Sequence, residues 1–125
     1  MEPPRLRCLI VDDSAAFRTS ARGMLEAGGI TVVGTASTLA EALHETASAH
    51  PDVALVDIDL GGESGFDVAE ALHAAMSGSP PAVVLVSTHD EEEFADMIDA
   101  SSAVGFVPKF ALSADRVRAA LAETS

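Results

Sequence analysis

Five short apolar runs punctuate the chain: Leu6–Val11, Ile30–Val33, Val53–Val56, Ala82–Val86 and Val104–Val107, all rich in Val, Leu and Ile. Runs of this length without polar alternation read as strands buried on both faces. Between them the apolar positions change period. Phe17, Ala21, Met24 and Leu25 fall at i, i+4, i+7 and i+8, one face of a helix. Leu39, Leu43 and Ala47 repeat the pattern, as do Val68, Leu72, Ala75 and Met76. Phe94, Met97 and Ile98 mark a shorter fourth helix, and Ala114, Val117 and Leu121 a fifth. The punctuation agrees. Gly28 and Gly29 suit the left-handed end of the first helix, Pro51 closes the second, and Pro80–Pro81 follow the third. Thr38 with Glu41, and Asp90 with Glu93, have the spacing of helix-start capping boxes.

Strict alternation of apolar strands with helices predicts a parallel sheet covered on both faces. Right-handed crossovers in so short a chain favour an open sheet over a closed barrel. The expected architecture is α/β: a flavodoxin-like, doubly wound (βα)5 fold with five parallel strands in the order 2-1-3-4-5, one domain over residues 1–125. In such sheets ligands bind beyond the carboxyl ends of the strands, where the winding reverses, here between strands 1 and 3.

Composition narrows the function. Among 125 residues, 7 Lys+Arg stand against 20 Asp+Glu, a formal net charge of −13. Phosphates would repel such a chain, so nucleic acid and anionic membrane surfaces are excluded as expected partners. A hydrophobic fraction of 48% is too high for a disordered chain. No apolar run approaches the ~20 residues of a membrane span, and Pro3, Pro4, Arg5 and Arg7 interrupt any signal-peptide core. The single cysteine, Cys8, cannot form an internal disulfide, which suits a reducing cytoplasm.

The strand ends carry the chemistry. The first ends in Asp12-Asp13, the third in Asp57, the fourth in Ser87-Thr88 and the fifth in Pro108-Lys109. In a parallel sheet these ends share one edge, and strands 1 and 3 are neighbours, so three carboxylates converge. Two carboxylates ~4 Å apart repel by about 4 kcal/mol at an effective dielectric of 20, which raises pKa values or recruits a cation. A hard ion such as Mg2+, bound through carboxylates and water, answers that repulsion. With the Lys109 ammonium and the Ser87 hydroxyl the set matches the requirements of a phosphoryl site. Taken singly, each residue has an ordinary reading: Asp12-Asp13-Ser14 caps a helix, with Ser14 the better cap; Asp57 is a solvated carboxylate, Ser87 a structural hydroxyl, Lys109 a surface charge. Their joint placement favours function.

The run Cys8-Leu-Ile-Val-Asp-Asp-Ser14, with Ala54-Leu-Val-Asp57, Val84-Leu-Val-Ser87 and Phe106-Val-Pro-Lys109, resembles the receiver domain of bacterial two-component response regulators. The resemblance covers essentially the whole chain. It implies that Asp57 accepts a phosphoryl group from a histidine kinase. It also implies that Asp12, Asp13, Asp57 and the Asp59 backbone carbonyl hold Mg2+, that Ser87 and Lys109 bind phosphoryl oxygens, and that Phe106 is a switch side chain whose ordinary reading is core. Asp59 and His89 occupy the family's variable positions, where side chains tune phosphoryl lifetime. The face of helix 4, strand 5 and helix 5 is the implied partner or dimer surface. No basic helix-turn-helix stretch follows the last helical segment, so a DNA-binding output is expected to be absent or removed.

The chain departs from the commonest family pattern in three places. Gly61-Gly62 stands where a Pro is usual after Asp57, predicting a looser loop. Phe110 replaces the usual Pro after Lys109, where a cis bond would cost roughly 3–4 kcal/mol, so none is expected. Phe106 lacks the hydroxyl of the frequent Tyr. Asp57-Ile58-Asp59 also resembles the Asp-x-Asp nucleophile motif of haloacid-dehalogenase-type phosphatases, the competing reading, but on the third strand rather than near the start. A phosphorylation-deficient scaffold would not need the whole polar set, and no Gly-rich loop follows strand 1 to hold a nucleotide or flavin. His44, His50 and His73 have no metal-ligand spacing.

Overall fold

The computed structural model describes residues 6–75, 80–88 and 91–122. Its elements alternate as expected: β1 (Arg7–Val11), α1 (Ala15–Ala27), β2 (Thr31–Ala36), α2 (Leu39–Ala49), β3 (Val53–Asp57), α3 (Gly65–Ala75), β4 (Ala82–Ser87), α4 (Glu91–Ala100), β5 (Gly105–Pro108) and α5 (Ala114–Ala122), with a 3-10 turn over Lys109–Ala111. All strand pairings are parallel, and the order is β2-β1-β3-β4-β5. This is the flavodoxin-like, doubly wound α/β sheet that the alternation predicts.

Alternate residues of each strand feed two cores. Cys8, Ile10, Val53, Leu55, Val84 and Val86 pack against α1 and α5 through Ala21, Leu25, Val117 and Ala120. Leu9, Val11, Ala54, Val56, Val83 and Leu85 pack against Ala42 of α2 and Val68, Ala69 and Leu72 of α3. Each fully buried Val, Leu or Ile contributes about 1.5–3 kcal/mol relative to exposure, so the central strands hold the sheet edge rigid.

The helix starts follow the sequence signals. Ser14 Oγ accepts the Phe17 N–H at 3.2 Å and Thr38 Oγ1 the Glu41 N–H at 3.1 Å. Glu41 turns its own carboxylate to the Ser37 N–H and hydroxyl, at 2.7 and 2.8 Å, one residue earlier than a simple capping box. Gly29 takes φ 91° after α1, and His50 the left-handed φ of 50° after α2.

Two details differ from expectation, and two positions go undescribed. β2 runs on past Val33 to Ala36, because Gly34, Thr35 and Ala36 pair with Leu9, Ile10 and Val11; a bulge between Cys8 and Leu9 in the register leaves Val33 as the extra residue. Met97 is 53% exposed; among the described side chains of α4, Phe94 and Ile98, one turn apart, turn inward. The predicted third-helix position Met76 and the capping residue Asp90 lie outside the described residues.

Candidate phosphoryl and metal site

The sheet edge assembles the site from loops of unequal length. β1 ends at Val11, and Asp12 turns fully inward while Asp13 faces solvent. Asp12 Oδ1 accepts the Ser14 N–H at 2.8 Å, and the Arg18 guanidinium donates to the Asp12 carbonyl at 2.6 Å. Side chain and backbone of Asp12 are thereby locked by the first turn of α1.

Asp57 closes β3, paired in register with Val86, and stands only 6% exposed. Its Oδ1 accepts the Asp59 N–H at 3.1 Å. The loop behind it is tied down: Leu60 donates to the Glu63 carbonyl at 3.0 Å, Gly61 to Asp59 Oδ1 at 3.1 Å, and Gly65 to the Ile58 carbonyl at 2.7 Å. Ile58 and Leu60 are buried beneath it. These hydrogen bonds span the Gly61-Gly62 stretch. Gly61 takes φ 79° there, a conformation that glycine reaches at little cost.

Lys109 arrives from the far side of the sheet. Its Nζ lies 2.6 Å from Asp12 Oδ2 and donates to Asp57 Oδ2 at 3.1 Å. Asp12 Oδ2 is buried with the ion pair but no aligned hydrogen bond. Burial raises the Asp57 carboxyl above its ordinary value; the Asp59 N–H and the Lys109 ammonium oppose that rise, and the Asp12 charge adds to it. For Lys109, burial works against the charged form, but the contacts with both carboxylates outweigh it and its pKa is raised. Opposite charge thus holds the crowded carboxylates together.

Asp12, Asp13 and Asp57 each offer a carboxylate oxygen within 4.8 Å of the others. This hard-oxygen cluster, with the under-bonded Asp12 Oδ2, fits a divalent cation such as Mg2+. Ser87 is buried at the end of β4, paired with Pro108 in the register that places Lys109 one residue on. Asp59 is exposed beside the cluster. Phe106 is half-buried against the core beneath α4 and lines a groove of about 530 Å³ with Ile98, Val104 and Arg116, away from the carboxylates. His89 lies outside the described residues. No cis peptide occurs among the described residues, Lys109–Phe110 included.

One neighbour of the site carries only a core signal in the sequence. Phe17, on the first turn of α1, presents its ring to the Lys109 ammonium, with 4.3 Å from nitrogen to centroid. Its place four residues after Asp13 was the available signal: the start of α1 must lie beside the end of β1.

Known proteins resemble this chain along most of its length. Residues 8–122 match the family described as response regulator receiver domain. The chain is 35% identical over 122 residues to the transcriptional regulatory protein NarL of Mycobacterium tuberculosis H37Rv, covering 96% of this chain and 55% of NarL. It is 38% identical over 114 residues to protein-glutamate methylesterase/protein-glutamine glutaminase 5 of Myxococcus xanthus DK1622, covering 90% of this chain and 32% of that enzyme. The chain thus spans about half or less of the length of these relatives. The solved signal receiver domain of M. tuberculosis NarL superposes with a TM-score of 0.82 at 33% identity, covering 96% of each chain. A LuxR-family response regulator from Aurantimonas sp. SI85-9A1 superposes equally well at 25% identity, covering 95% of this chain and 84% of that one.

Proposed function

We propose that this chain, which belongs to the response-regulator receiver family, takes its phosphoryl group on Asp57. Receivers of two-component systems work with histidine kinases and with output domains, and the 125 residues act here as one such receiver unit. The supporting observation is the buried Asp57 carboxylate, held between the Asp59 N–H at 3.1 Å and the Lys109 ammonium at 3.1 Å on the edge where Asp12 and Asp13 converge.

Asp57 attacks phosphorus as a carboxylate. A new bond forms from its oxygen to phosphorus while the bond from phosphorus to the donor nitrogen of a phosphohistidine breaks, leaving the electron pair on the donor. The Asp59 N–H and Lys109 orient the nucleophile, and Lys109 offsets the arriving negative charge. The Ser87 hydroxyl donates to a phosphoryl oxygen. Asp12, Asp13, Asp57 and the Asp59 backbone carbonyl would hold Mg2+. Bound there, the ion supplies charge neutralisation at the phosphoryl oxygens.

The signal is a shift in population toward the conformation in which Ser87 meets the phosphoryl group, with Phe106 moving in its groove above β5. The face of α4, β5 and α5 then carries the message to a downstream partner, an output domain or a second copy. Asp59 and His89 set how long the phosphoryl group persists. The module signals rather than turning over a substrate, in the cytoplasm, without contacting nucleic acid or membrane itself. No helix among the described residues is long and apolar enough to cross a membrane. Nothing in the site or among the relatives favours the haloacid-dehalogenase-type phosphatase.

Incubation with acetyl phosphate and Mg2+, followed by intact-mass measurement, tests this reading. One phosphoryl adduct is expected on the wild type and none on Asp57→Ala or in excess chelator. An adduct that survives Asp57→Ala, or repeated turnover of a phosphate ester, would overturn it.

A further inference from the structure

Lys109 is the sole lysine of the chain. Its ammonium meets Asp12 Oδ2 at 2.6 Å, Asp57 Oδ2 at 3.1 Å, and the ring of Phe17 with its centroid at 4.3 Å. The carboxylates belong to the phosphoryl site already described. The ring does not. We propose that Phe17 is a positioning residue that seats the Lys109 ammonium between Asp12 and Asp57; the proposal rests on the reading of Asp57 as phosphoryl acceptor.

A lysine ammonium is a strongly hydrated point charge on a flexible four-carbon stem. Left to its carboxylates alone, it can swing toward water at the rim, where its side chain keeps 15% exposure. An aromatic face attracts a cation through its quadrupole, and more strongly when water is displaced. The backbone that carries the ring is held at the helix start. The Phe17 N–H is held by Ser14 Oγ at 3.2 Å, and the Ser14 N–H by Asp12 Oδ1 at 2.8 Å. The side chain also packs on the core beneath α1. The contacts close a circuit: Asp12 to Ser14, Ser14 to Phe17, Phe17 to Lys109, Lys109 back to Asp12. An aliphatic residue at position 17 would fill the same apolar space but offer the ammonium no aromatic face.

Because no other lysine is present, lysine labelled with carbon-13 and nitrogen-15 reports Lys109 alone. In the wild type, without phosphodonor, the ring current should shift the Lys109 ε-protons upfield of those of free lysine. Phe17→Tyr should keep the shift and Phe17→Leu should lose it. Labelling of Asp57 by acetyl phosphate should slow roughly threefold to tenfold in Phe17→Leu and stay within about twofold of wild type in Phe17→Tyr. Unshifted ε-protons in the wild type, or wild-type labelling by Phe17→Leu, overturns the proposal. A role in packing alone would lower the melting temperature of Phe17→Leu without any lysine shift in the wild type. The wild-type spectrum decides even where Phe17→Leu folds poorly. A shifted lysine signal in a protein that takes no phosphoryl group would instead overturn the reading of Asp57 and leave the seat standing.

Discussion

Gly65 lies so close to Asp57 that a β-carbon on it would overlap the Asp57 carbonyl oxygen and stand 2.7 Å from the Ile58 α-carbon. That approach lets the Gly65 N–H reach the Ile58 carbonyl at 2.7 Å and starts α3 directly against the end of β3. Here glycine answers a demand for space, since α3 begins at this residue with ordinary helical backbone. Gly65→Ala should therefore lower stability by about 1–3 kcal/mol, the usual cost of overpacking, and slow phosphoryl labelling of Asp57. Denaturant midpoints and intact mass check both. An unchanged midpoint would show that the β3–α3 turn yields without cost.

Asp13 faces solvent beside the buried Asp12, so its contribution should depend on the metal rather than on the fold. Mg2+ should raise the unfolding free energy of the wild type by about 2.7 kcal/mol at a hundredfold excess over the dissociation constant. Asp13→Asn should keep metal-free stability within about 0.5 kcal/mol of wild type and lose most of that increment. Equal increments in the two proteins would remove Asp13 from the ligand set.

Asp59 uses Oδ1 to accept the Gly61 N–H at 3.1 Å. An asparagine retains that acceptor oxygen and removes only the charge. A unit charge on the order of 6 Å from the phosphoryl oxygens, in a water-like dielectric, is worth about 0.7 kcal/mol. Asp59→Asn should thus change the phosphoryl half-life by up to about threefold at saturating Mg2+. Equal half-lives reject the role.

Glu70 of α3 accepts the Ser102 N–H at 2.7 Å and the Ser102 hydroxyl at 2.8 Å, joining α3 to the loop between α4 and β5. The Ser102 backbone N–H and then its hydroxyl hold the Glu70 carboxyl below its ordinary value of 4.5. A folded pKa lower than the unfolded one stabilises above the unfolded value and fades as pH falls through the folded value. Wild type should therefore be slightly more stable than Glu70→Ala at neutral pH, with the gap closing in acid below the carboxylate range. The exposure of Glu70 keeps the gap small. A gap constant with pH would show that the link does not depend on ionisation.

Much of the molecule was readable along the chain because its signals are local. A switch between continuous apolar runs and helical spacing marks each element, and parallel strands must present their carboxyl ends on one edge. For that reason Asp12, Asp13, Asp57, Ser87 and Lys109 could be grouped before any coordinates, and Ser14 and Thr38 recognised as caps. Contacts between distant residues followed other rules. Phe17 keeps helical spacing whether it meets a core leucine or the ammonium of Lys109. Met97 sits on the apolar stripe yet is exposed, because α4 turns Phe94 and Ile98 toward the sheet. The extent of β2 and its bulge depend on pairing with β1, and the Glu70–Ser102 link joins residues 32 apart. Periodicity and strand order are properties of neighbouring positions, so the chain alone specifies the sheet and the edge where its carboxylates gather. Which oxygen faces which nitrogen depends on side-chain direction and loop closure, and these are set only when the elements pack.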